Sequence, residues 1–355
     1  MQILHETIAA ITPQSDTWRM RARERLEQLT MPHWALGRIL DLAVDLAGMA
    51  HSPQPATRRK VIVVMAADHG VVAEGVSKYP QEVTRQMVAN FVNRGAAINA
   101  LAGQAGADIL VVDMGVAGGL GAFADAKAIL PLSVAPGTAN IAAGPAMTRG
   151  EAITAVENGI QVARQLIDSE GYDLIGVGEM GIGNTTSSSA IIAALTGKSA
   201  RETTGHGTGI DDEQRRHKIA VVEKALRINQ PNPKDGLAVL GKLGGFEIGG
   251  IAGVILGAAA RRRPVLMDGL ISSAGALIAQ QLAPNAVDYL IAAHRSVERG
   301  HLIALDRLGK EPLLDLRLRL GEGTGAALAM NLVEAAGRVL REVKTFAQAQ
   351  VSSAS

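Results

Sequence analysis

The sequence predicts an α/β fold: a doubly wound, mostly parallel sheet with helices on both faces, plus a small helical domain from the N- and C-terminal segments. Five short runs are continuously apolar and alternate with longer helical stretches; the runs lie at residues 61–65, 109–112, 174–177, 265–267 and 289–292. Continuous apolar runs are typical of strands that are covered on both faces. Strands that alternate with helices favour a parallel sheet.

The N-terminal segment carries helix signals before the first strand. Ser15 or Asp16 can cap a helix that continues through Leu29, because both side chains accept hydrogen bonds from the first free N–H groups of a helix. Pro32 suits the first turn of a second helix, where its missing N–H is not needed. The apolar residues of both stretches recur at helical spacing, which predicts a helical pair.

Two later helices complete the pattern. Thr148 and Glu151 have capping-box spacing ahead of a helical stretch that reaches Ser169. Residues 325–346 form a last amphipathic helix, which we expect to pack with the N-terminal pair. The predicted domains are residues 1–58, a helical segment of the small domain; residues 59–308, the α/β nucleotide-binding domain; and residues 309–355, which complete the small domain. Residues 352–355 are expected to fray.

Composition narrows the class of protein. The chain has 355 residues, 35 Lys and Arg against 34 Asp and Glu, and 3% aromatic residues, so neither a basic field nor stacking platforms point to nucleic acid. Cysteine is absent from the sequence, which excludes thiolate chemistry and fits a reducing compartment. The first twelve residues do not resemble a leader peptide, and no apolar run is long enough to span a bilayer. We expect a cytoplasmic protein that acts on small molecules, with no membrane or nucleic-acid partner.

The glycine-rich segment at residues 176–188 is the most informative part of the chain. It reads Gly-Val-Gly-Glu-Met-Gly-Ile-Gly-Asn-Thr-Thr-Ser-Ser and leads from an apolar strand into a helix. Glycine allows close approach of a ligand, and a helix N-terminus presents unpaired N–H groups to an anion. No lysine follows the glycines, so the pattern favours a monophosphate over a triphosphate. For a glycine pair without the other features, a tight packing turn is the better interpretation.

Glu179 lies inside that segment and needs a separate explanation. A carboxylate among anion-binding donors would repel a phosphate unless it has another task, such as holding a ribose hydroxyl or helping with proton transfer. We therefore expect Glu179 to have a role in the site.

Polar groups follow every predicted strand. They are Asp68-His69-Gly70, Asp113-Met114-Gly115, Glu179-Met180-Gly181, Asp268-Gly269 and His294-Arg295-Ser296. In open α/β sheets the ligand lies beyond the carboxyl ends of the strands, so the topology predicts that these segments meet at one crevice. Each segment taken singly is also compatible with an ordinary turn or helix cap, and for Asp113 that interpretation is preferred.

A second glycine motif, Gly-Glu-Gly-Thr-Gly at residues 321–325, precedes the last helix. Three glycines around Glu322 allow a ligand to approach the backbone closely, and an apolar pocket would raise the pKa of this carboxyl toward the range of a general base. The alternative is a carboxylate that caps the helix start. From the residues themselves the two interpretations are about even.

Two further segments are candidates for ligand contacts. Residues 205–212, Gly-His-Gly-Thr-Gly-Ile-Asp-Asp, open a helix on which Lys218 follows two turns later, where it could reach an anion. Residues 77–87 place Tyr79 before Pro80 at a helix entry and could line a slot for a flat heterocycle. A surface lysine and a capped helix with a packing tyrosine are the alternatives.

Metal binding has little support in the sequence. The eight histidines are dispersed and no His-x-x-x-His pair is present. Asp68 and His69 are the one candidate pair, but neighbours on an extended segment point to opposite sides. We predict no metal and no other cofactor.

Together these motifs resemble one family, the nicotinate-nucleotide:dimethylbenzimidazole phosphoribosyltransferases. The resemblance covers the chain from about Ala66 onward and rests on residues 67–71, Ala-Asp-His-Gly-Val; 75–77, Gly-Val-Ser, with Pro80; 178–186, Gly-Glu-Met-Gly-Ile-Gly-Asn-Thr-Thr; 207–209, Gly-Thr-Gly, with Asp211 and Asp212; and 321–325, Gly-Glu-Gly-Thr-Gly. The two long glycine motifs are specific. His206 departs from the pattern, in which arginine is commoner, so this position is assigned no role.

The resemblance implies a reaction and a set of roles. The 5-phosphoribosyl group of nicotinate mononucleotide would pass to 5,6-dimethylbenzimidazole, or a related base, in a single inverting displacement, which releases nicotinate and forms α-ribazole 5′-phosphate. Glu322 would be the general base and Glu179 a second carboxylate near the ribose. The phosphate and ribose would contact Gly181, Gly183, Asn184, Thr185, Thr186, Lys218, Gly207 and Thr208, and the acceptor base would contact Ser77, Tyr79 and Gln86.

Two other functions remain open at this stage. One is a metal-dependent phosphomonoester hydrolase that uses Asp68 and His69, and the other is a noncatalytic nucleotide-binding module. The preferred acceptor base is not determined by the sequence, because related bases differ by contacts that depend on the shape of the pocket. The apolar N-terminal helices favour a homodimer, although they could equally be buried within the small domain.

Overall fold

The computed structural model describes residues 1–120 and 129–352. Within them lies one six-stranded sheet in the order β3-β2-β1-β4-β5-β6, and every neighbouring pair of strands is parallel. The strands are β1 Lys60–Ala67, β2 Ala107–Gly115, β3 Ile129–Pro131, β4 Leu174–Met180, β5 Val265–Met267 and β6 Leu290–Ala292. The strand order reverses between β1 and β4, which is where open α/β sheets bind their ligands.

Helices connect the strands and cover both faces of the sheet. The α-helices are α1 Gln2–Ala10, α2 Asp16–Leu26, α3 Arg38–Ala50, α4 Glu82–Val92, α5 Ala97–Ala105, α6 Arg149–Arg164, α7 Asn184–Thr196, α8 Ala200–Thr203, α9 Asp212–Asn229, α10 Gly236–Leu243, α11 Phe246–Ala259, α12 Leu270–Leu282, α13 Arg299–Leu308, α14 Thr324–Glu342 and α15 Phe346–Ala349. Short 3₁₀ turns at Gly70–Glu74 and Pro284–Tyr289 and a π turn at Gln165–Ser169 supplement them. In the described residues, no helix is long and apolar enough to cross a membrane.

The core lies on the two faces of β1, all eight of whose residues are buried. On one face α11 packs closely, since a Cβ added at Gly250 would lie 3.1 Å from Met65 and Met114 of the sheet. On the other face α14 approaches β4, where a Cβ at Gly176 would lie about as close to Met330. This double coverage explains why the central strands are continuously apolar.

Tight helix packing supports the sheet from outside. All fourteen residues of α11 are buried, and a Cβ added at Gly159 of α6 would lie 2.0 Å from the carbonyl oxygen of Gly250. The two backbones approach so closely that only glycine fits at this crossing. The α6–α11 pair therefore forms a rigid layer beneath the sheet.

The predicted fold class is confirmed, with local differences. The five predicted strands are present, but β3 was missed because it has three residues, lies at the sheet edge, ends in Pro131 and buries only its first residue fully. The helix predicted to start at Pro32 begins instead at Arg38, since Trp34 and Gly37 have φ of 52° and 48° and interrupt helical geometry. The preceding helix ends at Leu26, not Leu29.

The terminal segments meet in space. Helices α2 and α3 pack against each other and against α14, and Arg25 donates from Nε to the Leu340 carbonyl at 2.7 Å. Leu29 and Thr345 form an isolated antiparallel bridge. By contrast, α1 packs on α6 of the α/β layer. The domain boundaries after residues 58 and 308 stay a prediction, and residues 353–355, expected to fray, lie outside the described residues.

Candidate active site

A cavity of about 360 Å³ lies at the carboxyl ends of the strands, within the size range of small-molecule sites. Its lining includes Met180, the last residue of β4, and Gly321, which precedes α14. Gly269 and His294, which follow β5 and β6, also line it. Eight of the sequence-predicted residues line this one space: Glu179, Glu322, Gly181, Asn184, Thr185, Gly207, Thr208 and Tyr79. The segments that follow β4, β5 and β6 meet at this crevice, as the topology predicts, whereas Asp68-His69 after β1 and Asp113 at the end of β2 do not line it.

The N-terminus of α7 forms one end of the cavity. Gly183 has φ of 96° and precedes the helix, and the N–H of Thr186 turns back to its carbonyl. Gly183 and Thr186 do not line the cavity but lie behind it; Thr186 is fully buried. Asn184 and Thr185 are the residues that this turn presents to the cavity. The arrangement matches an anion site at a helix N-terminus.

Lys218 lies one layer behind Thr185. Its Nζ donates to Thr185 Oγ1 at 2.7 Å, and the side chain is 1% exposed. Burial lowers the pKa of Lys218 to about 8, while the Glu298 carboxylate opposes this shift. The Lys218 ammonium group therefore contacts the cavity wall through the Thr185 hydroxyl. Its positive charge would attract an anion at the N-terminus of α7.

Glu298 and Arg319 complete this end of the cavity and were not predicted. Glu298 accepts from the N–H of Gly207 at 2.8 Å, and Arg319 donates to the Gly207 carbonyl at 3.4 Å. Both side chains line the cavity. The two contacts fix the loop at residues 205–209 over Lys218. In the sequence Glu298 reads as an ordinary residue before α13 and Arg319 lies in a segment without periodicity, so no local signal marked either.

Glu179 lies at the end of β4 and contacts both Asn184 at the N-terminus of α7 and the loop before α14. Its carboxylate accepts a hydrogen bond from the Asn184 amide, and a Cβ added at Gly321 would lie 2.3 Å from Glu179 Oε1. Burial, and then the negative charges of Glu247, Asp268 and Glu322, raise the pKa of Glu179 to about 8. The raised pKa of Glu179 favours its protonated form, which can donate a hydrogen bond.

Glu322 lies in the cavity wall, in the loop before α14. The residue is 6% exposed, has φ of 62°, and accepts from the N–H of Ile98 at 3.2 Å. Burial, aided by the charge of Asp268, raises its pKa, and the bond from Ile98 opposes the rise. The loop lies directly on β4, because a Cβ at Gly178 would come within 2.3 Å of the Glu322 carbonyl carbon. Glu322 is therefore a buried carboxylate held at the cavity wall.

Helix α4 borders the mouth of the cavity. Val83 and Met87, one turn apart on α4, line it together with Tyr79, whose side chain is 49% exposed. Gln86 is exposed, and Ser77 accepts from the Tyr79 N–H at 3.2 Å. Neither Ser77 nor Gln86 lines the cavity. Val83 and Met87 are four residues apart, which places them on one face of α4. The prediction for residues 77–87 did not apply this spacing, so neither residue was among the predicted base contacts.

Asp68 and His69 lie outside the cavity and are engaged elsewhere. His69 contacts Ser187 Oγ through Nδ1 at 3.1 Å and Glu247 Oε1 through Nε2 at 2.6 Å, and all three side chains are buried. Asp68 accepts from the Ala117 N–H at 2.8 Å. Over residues 1–120 and 129–352, no cluster of three His, Cys, Asp or Glu side chains could hold a metal ion. His69 packs beneath the glycine loop, since a Cβ added at Gly183 would lie 3.2 Å from the His69 Cβ.

His206 forms a surface pair with Asp212 at 3.0 Å. The two side chains are 48% and 80% exposed, so the pair contributes little.

Comparison with known proteins assigns the family. A family model described as a phosphoribosyltransferase matches residues 11–351. A nicotinate-nucleotide–dimethylbenzimidazole phosphoribosyltransferase of Syntrophotalea carbinolica is 60% identical over 352 residues, which are 99% of each chain. The chain belongs to the nicotinate-nucleotide–dimethylbenzimidazole phosphoribosyltransferase family. The relative of that name from Desulfotalea psychrophila is 54% identical, again over 99% of each chain.

A solved structure agrees with this family. The crystal structure of the enzyme of the same name from Thermus thermophilus superposes with a TM-score of 0.90 at 45% identity. The match covers 96% of the present chain and 100% of the Thermus chain. The family resemblance predicted from the glycine motifs is confirmed, and it extends over the first sixty residues, where the motifs were weak. The chain is a phosphoribosyltransferase.

Proposed function

We propose that this chain transfers the 5-phosphoribosyl group of nicotinate mononucleotide to 5,6-dimethylbenzimidazole or a related base, releasing nicotinate and forming α-ribazole 5′-phosphate. The observation that carries the proposal is that Glu322 lines the same cavity as Asn184 and Thr185, although more than a hundred residues separate them. A helix N-terminus and a buried carboxylate in one cavity suit a phosphorylated donor and an acceptor that must lose a proton.

The donor chemistry sets what the site must supply. In nicotinate mononucleotide the leaving group is a pyridinium nitrogen at C1′, so the bonding electron pair returns to that nitrogen without an acid. The acceptor attacks C1′ through one imidazole nitrogen while its other nitrogen carries a proton. Removal of that proton prevents positive charge from building up on the new nucleoside. Attack opposite to the leaving group turns a β-glycoside into an α-glycoside.

The residues of the cavity can be assigned to these steps. Glu322 takes the proton, because it is buried, its pKa is raised and it lines the same cavity. Asn184 and Thr185 hold the 5′-phosphate at the start of α7, with Lys218 behind them. Glu179, whose raised pKa favours the protonated form, donates to a ribose hydroxyl.

The acceptor pocket is proposed between α4 and the loop of Glu322. Tyr79, Val83 and Met87 supply an apolar wall, which suits the flat ring and methyl groups of dimethylbenzimidazole. Gln86 and Ser77 stay predicted contacts that require a rearrangement of this segment when the base binds.

The role of Glu322 is tested by substitution. Glu322→Gln should lower kcat by roughly 10²–10⁴-fold, as expected for a lost general base, with the KM for nicotinate mononucleotide little changed. Glu311→Gln, at an exposed glutamate, is the matched control and should keep full activity. A Glu322→Gln enzyme with unaltered kcat would remove this residue from the mechanism.

The reaction itself is tested by product analysis. Incubation of nicotinate mononucleotide with several benzimidazole and purine acceptors should release nicotinate and give an α-anomer, both visible by NMR. Release of inorganic phosphate that stops with EDTA would instead indicate the hydrolase that uses Asp68 and His69. Binding without turnover of any acceptor would indicate a noncatalytic module.

Two properties of the whole protein belong to the same proposal. Met20 and Leu36 are 58% and 45% exposed on the N-terminal helical part, which supports a homodimer formed through this face. Light scattering that gives the mass of one chain would contradict it. A cytoplasmic location is proposed as well, to be tested by fractionation of cells that carry the protein.

A further inference from the structure

Asp268 makes an unusual set of contacts directly behind the cavity. It follows β5 and is 1% exposed. Oδ1 accepts from the N–H groups of Gly325 at 2.7 Å and Ala326 at 3.1 Å, and Oδ2 accepts from Gly323 at 3.2 Å. One buried side chain therefore accepts from three backbone N–H groups at the start of α14. The helix dipole also favours a negative charge at this N-terminus.

The loop that Asp268 holds has a demanding backbone. Gly321, Glu322 and Gly323 are consecutive residues with φ of 86°, 62° and 89°. Left-handed geometry is easy for glycine but unfavourable for glutamate. Such a conformation persists only where the surrounding structure holds it in place. Asp268 bonds the last of these residues through the Gly323 N–H, and it anchors the first turn of α14 directly behind the loop through Gly325 and Ala326.

We propose that Asp268 is a positioning residue for the reaction: its carboxylate locks the loop so that the Glu322 side chain faces the acceptor. Asp268 does not line the cavity, so it acts through Glu322 and not on the substrate. The inference rests on the proposed role of Glu322 as the base.

The charge of Asp268 also affects Glu322 electrostatically. The charged or titratable groups that face Glu322 are Glu179 at the end of β4 and Asp268 after β5, and the Ile98 N–H approaches from the start of α5. His294, after β6, contacts Asp268 at 3.4 Å. Loss of the Asp268 charge should therefore lower the pKa of Glu322 and move the acid limb of kcat to lower pH.

The chain offers a matched control. Asp113 follows β2, is also buried, and accepts from the N–H groups of Gly115 and Val116, both at 2.9 Å. It fixes a strand-end loop in the same way, but that loop does not carry Glu322. Asp113→Asn and Asp268→Asn remove one charge each from comparable sites.

The two variants should differ in kinetics. Asp268→Asn should lower kcat by roughly 10- to 100-fold, the effect of a small misplacement of a reacting group, with the KM for nicotinate mononucleotide within about 3-fold of wild type. The acid limb of its kcat profile should move to lower pH. Asp113→Asn should keep kcat within about 3-fold. An Asp268→Asn enzyme with wild-type kcat and an unmoved acid limb overturns the inference.

Failure of the inference can be separated from failure of the proposed function. If Glu322→Gln is inactive while Asp268→Asn is fully active, Glu322 remains the general base and the positioning role of Asp268 is wrong. If Glu322→Gln is fully active, the proposed base itself is wrong. Hydrogen exchange in wild-type protein gives a test that needs no variant: the amides of Gly323, Gly325 and Ala326 should be strongly protected, and exchange at the rate of exposed amides would contradict the lock.

Discussion

Glu179→Gln should change how the stability of this protein depends on pH. Glu179 is buried at the end of β4, close to three other carboxylates, and its pKa is raised to about 8 from an ordinary value of 4.5. A buried acid of this kind holds its proton in the folded state after the unfolded chain has lost it. Glutamine is close to isosteric with protonated glutamate but cannot ionise, so it removes this dependence.

The sign and size follow from the two pKa values. Below pH 4.5 the carboxyl is protonated in both states and contributes no pH dependence. Between pH 4.5 and about 8 the folded state binds more protons, so the free energy of unfolding falls as pH rises, by up to about 1.4 kcal/mol for each pH unit. Over the whole window the loss contributed by Glu179 is of the order of 5 kcal/mol.

Urea unfolding at pH 5, 6, 7 and 8 measures the effect. The stability of Glu179→Gln relative to wild type should increase steadily over this range, whereas exposed Glu311→Gln should track wild type throughout. Lys218, with a pKa of about 8 in the folded state, changes stability mainly above pH 8 and stays outside the window. A difference between Glu179→Gln and wild type that is constant with pH would refute the assignment of a raised pKa to Glu179.

Two further predictions use other parts of the structure. Lys218→Met should raise the KM for nicotinate mononucleotide by roughly 10- to 100-fold with a smaller effect on kcat, since it removes a buried charge behind the phosphate; Lys224→Met, at a half-exposed lysine, serves as control, and equal KM values would count against the phosphate site. Gly159→Ala should destabilise by roughly 1–3 kcal/mol through overpacking against α11. The control is Gly103→Ala, which lies in open space on α5 and should stabilise the protein by about 0.5–1 kcal/mol. Chemical denaturation of both variants measures the free energy of unfolding, and equal changes in the two variants would contradict the close crossing of α6 and α11.

Local patterns in the sequence were sufficient for the fold class and the family. Continuous apolar runs predict buried strands because both faces of a central strand are covered, and the glycine motif at residues 176–188 predicts a helix N-terminus aimed at an anion. These signals lie within a few residues of each other, so they can be read without knowledge of the rest of the chain. The edge strand β3 was missed because its three residues have no such pattern.

The roles within the cavity were only partly accessible from the sequence. Glu322 and Glu179 were candidates because glycines surround them, and the topology brings both to one edge of the sheet. The choice between a capping carboxylate and a general base for Glu322 was even at that stage. In the structure Asp268 caps α14, whereas the Glu322 carboxylate lies at the cavity wall and accepts from the N–H of Ile98 in the first turn of α5.

The sequence by itself determined the five apolar strands, most of the helices and the glycine turn that opens α7, since these depend on periodicity and on residues close together in the chain. The tertiary structure decided the burial and the charged neighbours of each ionisable group. Glu298 lies beside Lys218. Burial and three neighbouring carboxylates raise the pKa of Glu179, and Asp268 holds the Glu322 loop. Such effects depend on distance and burial, which packing between remote segments sets and no local pattern encodes.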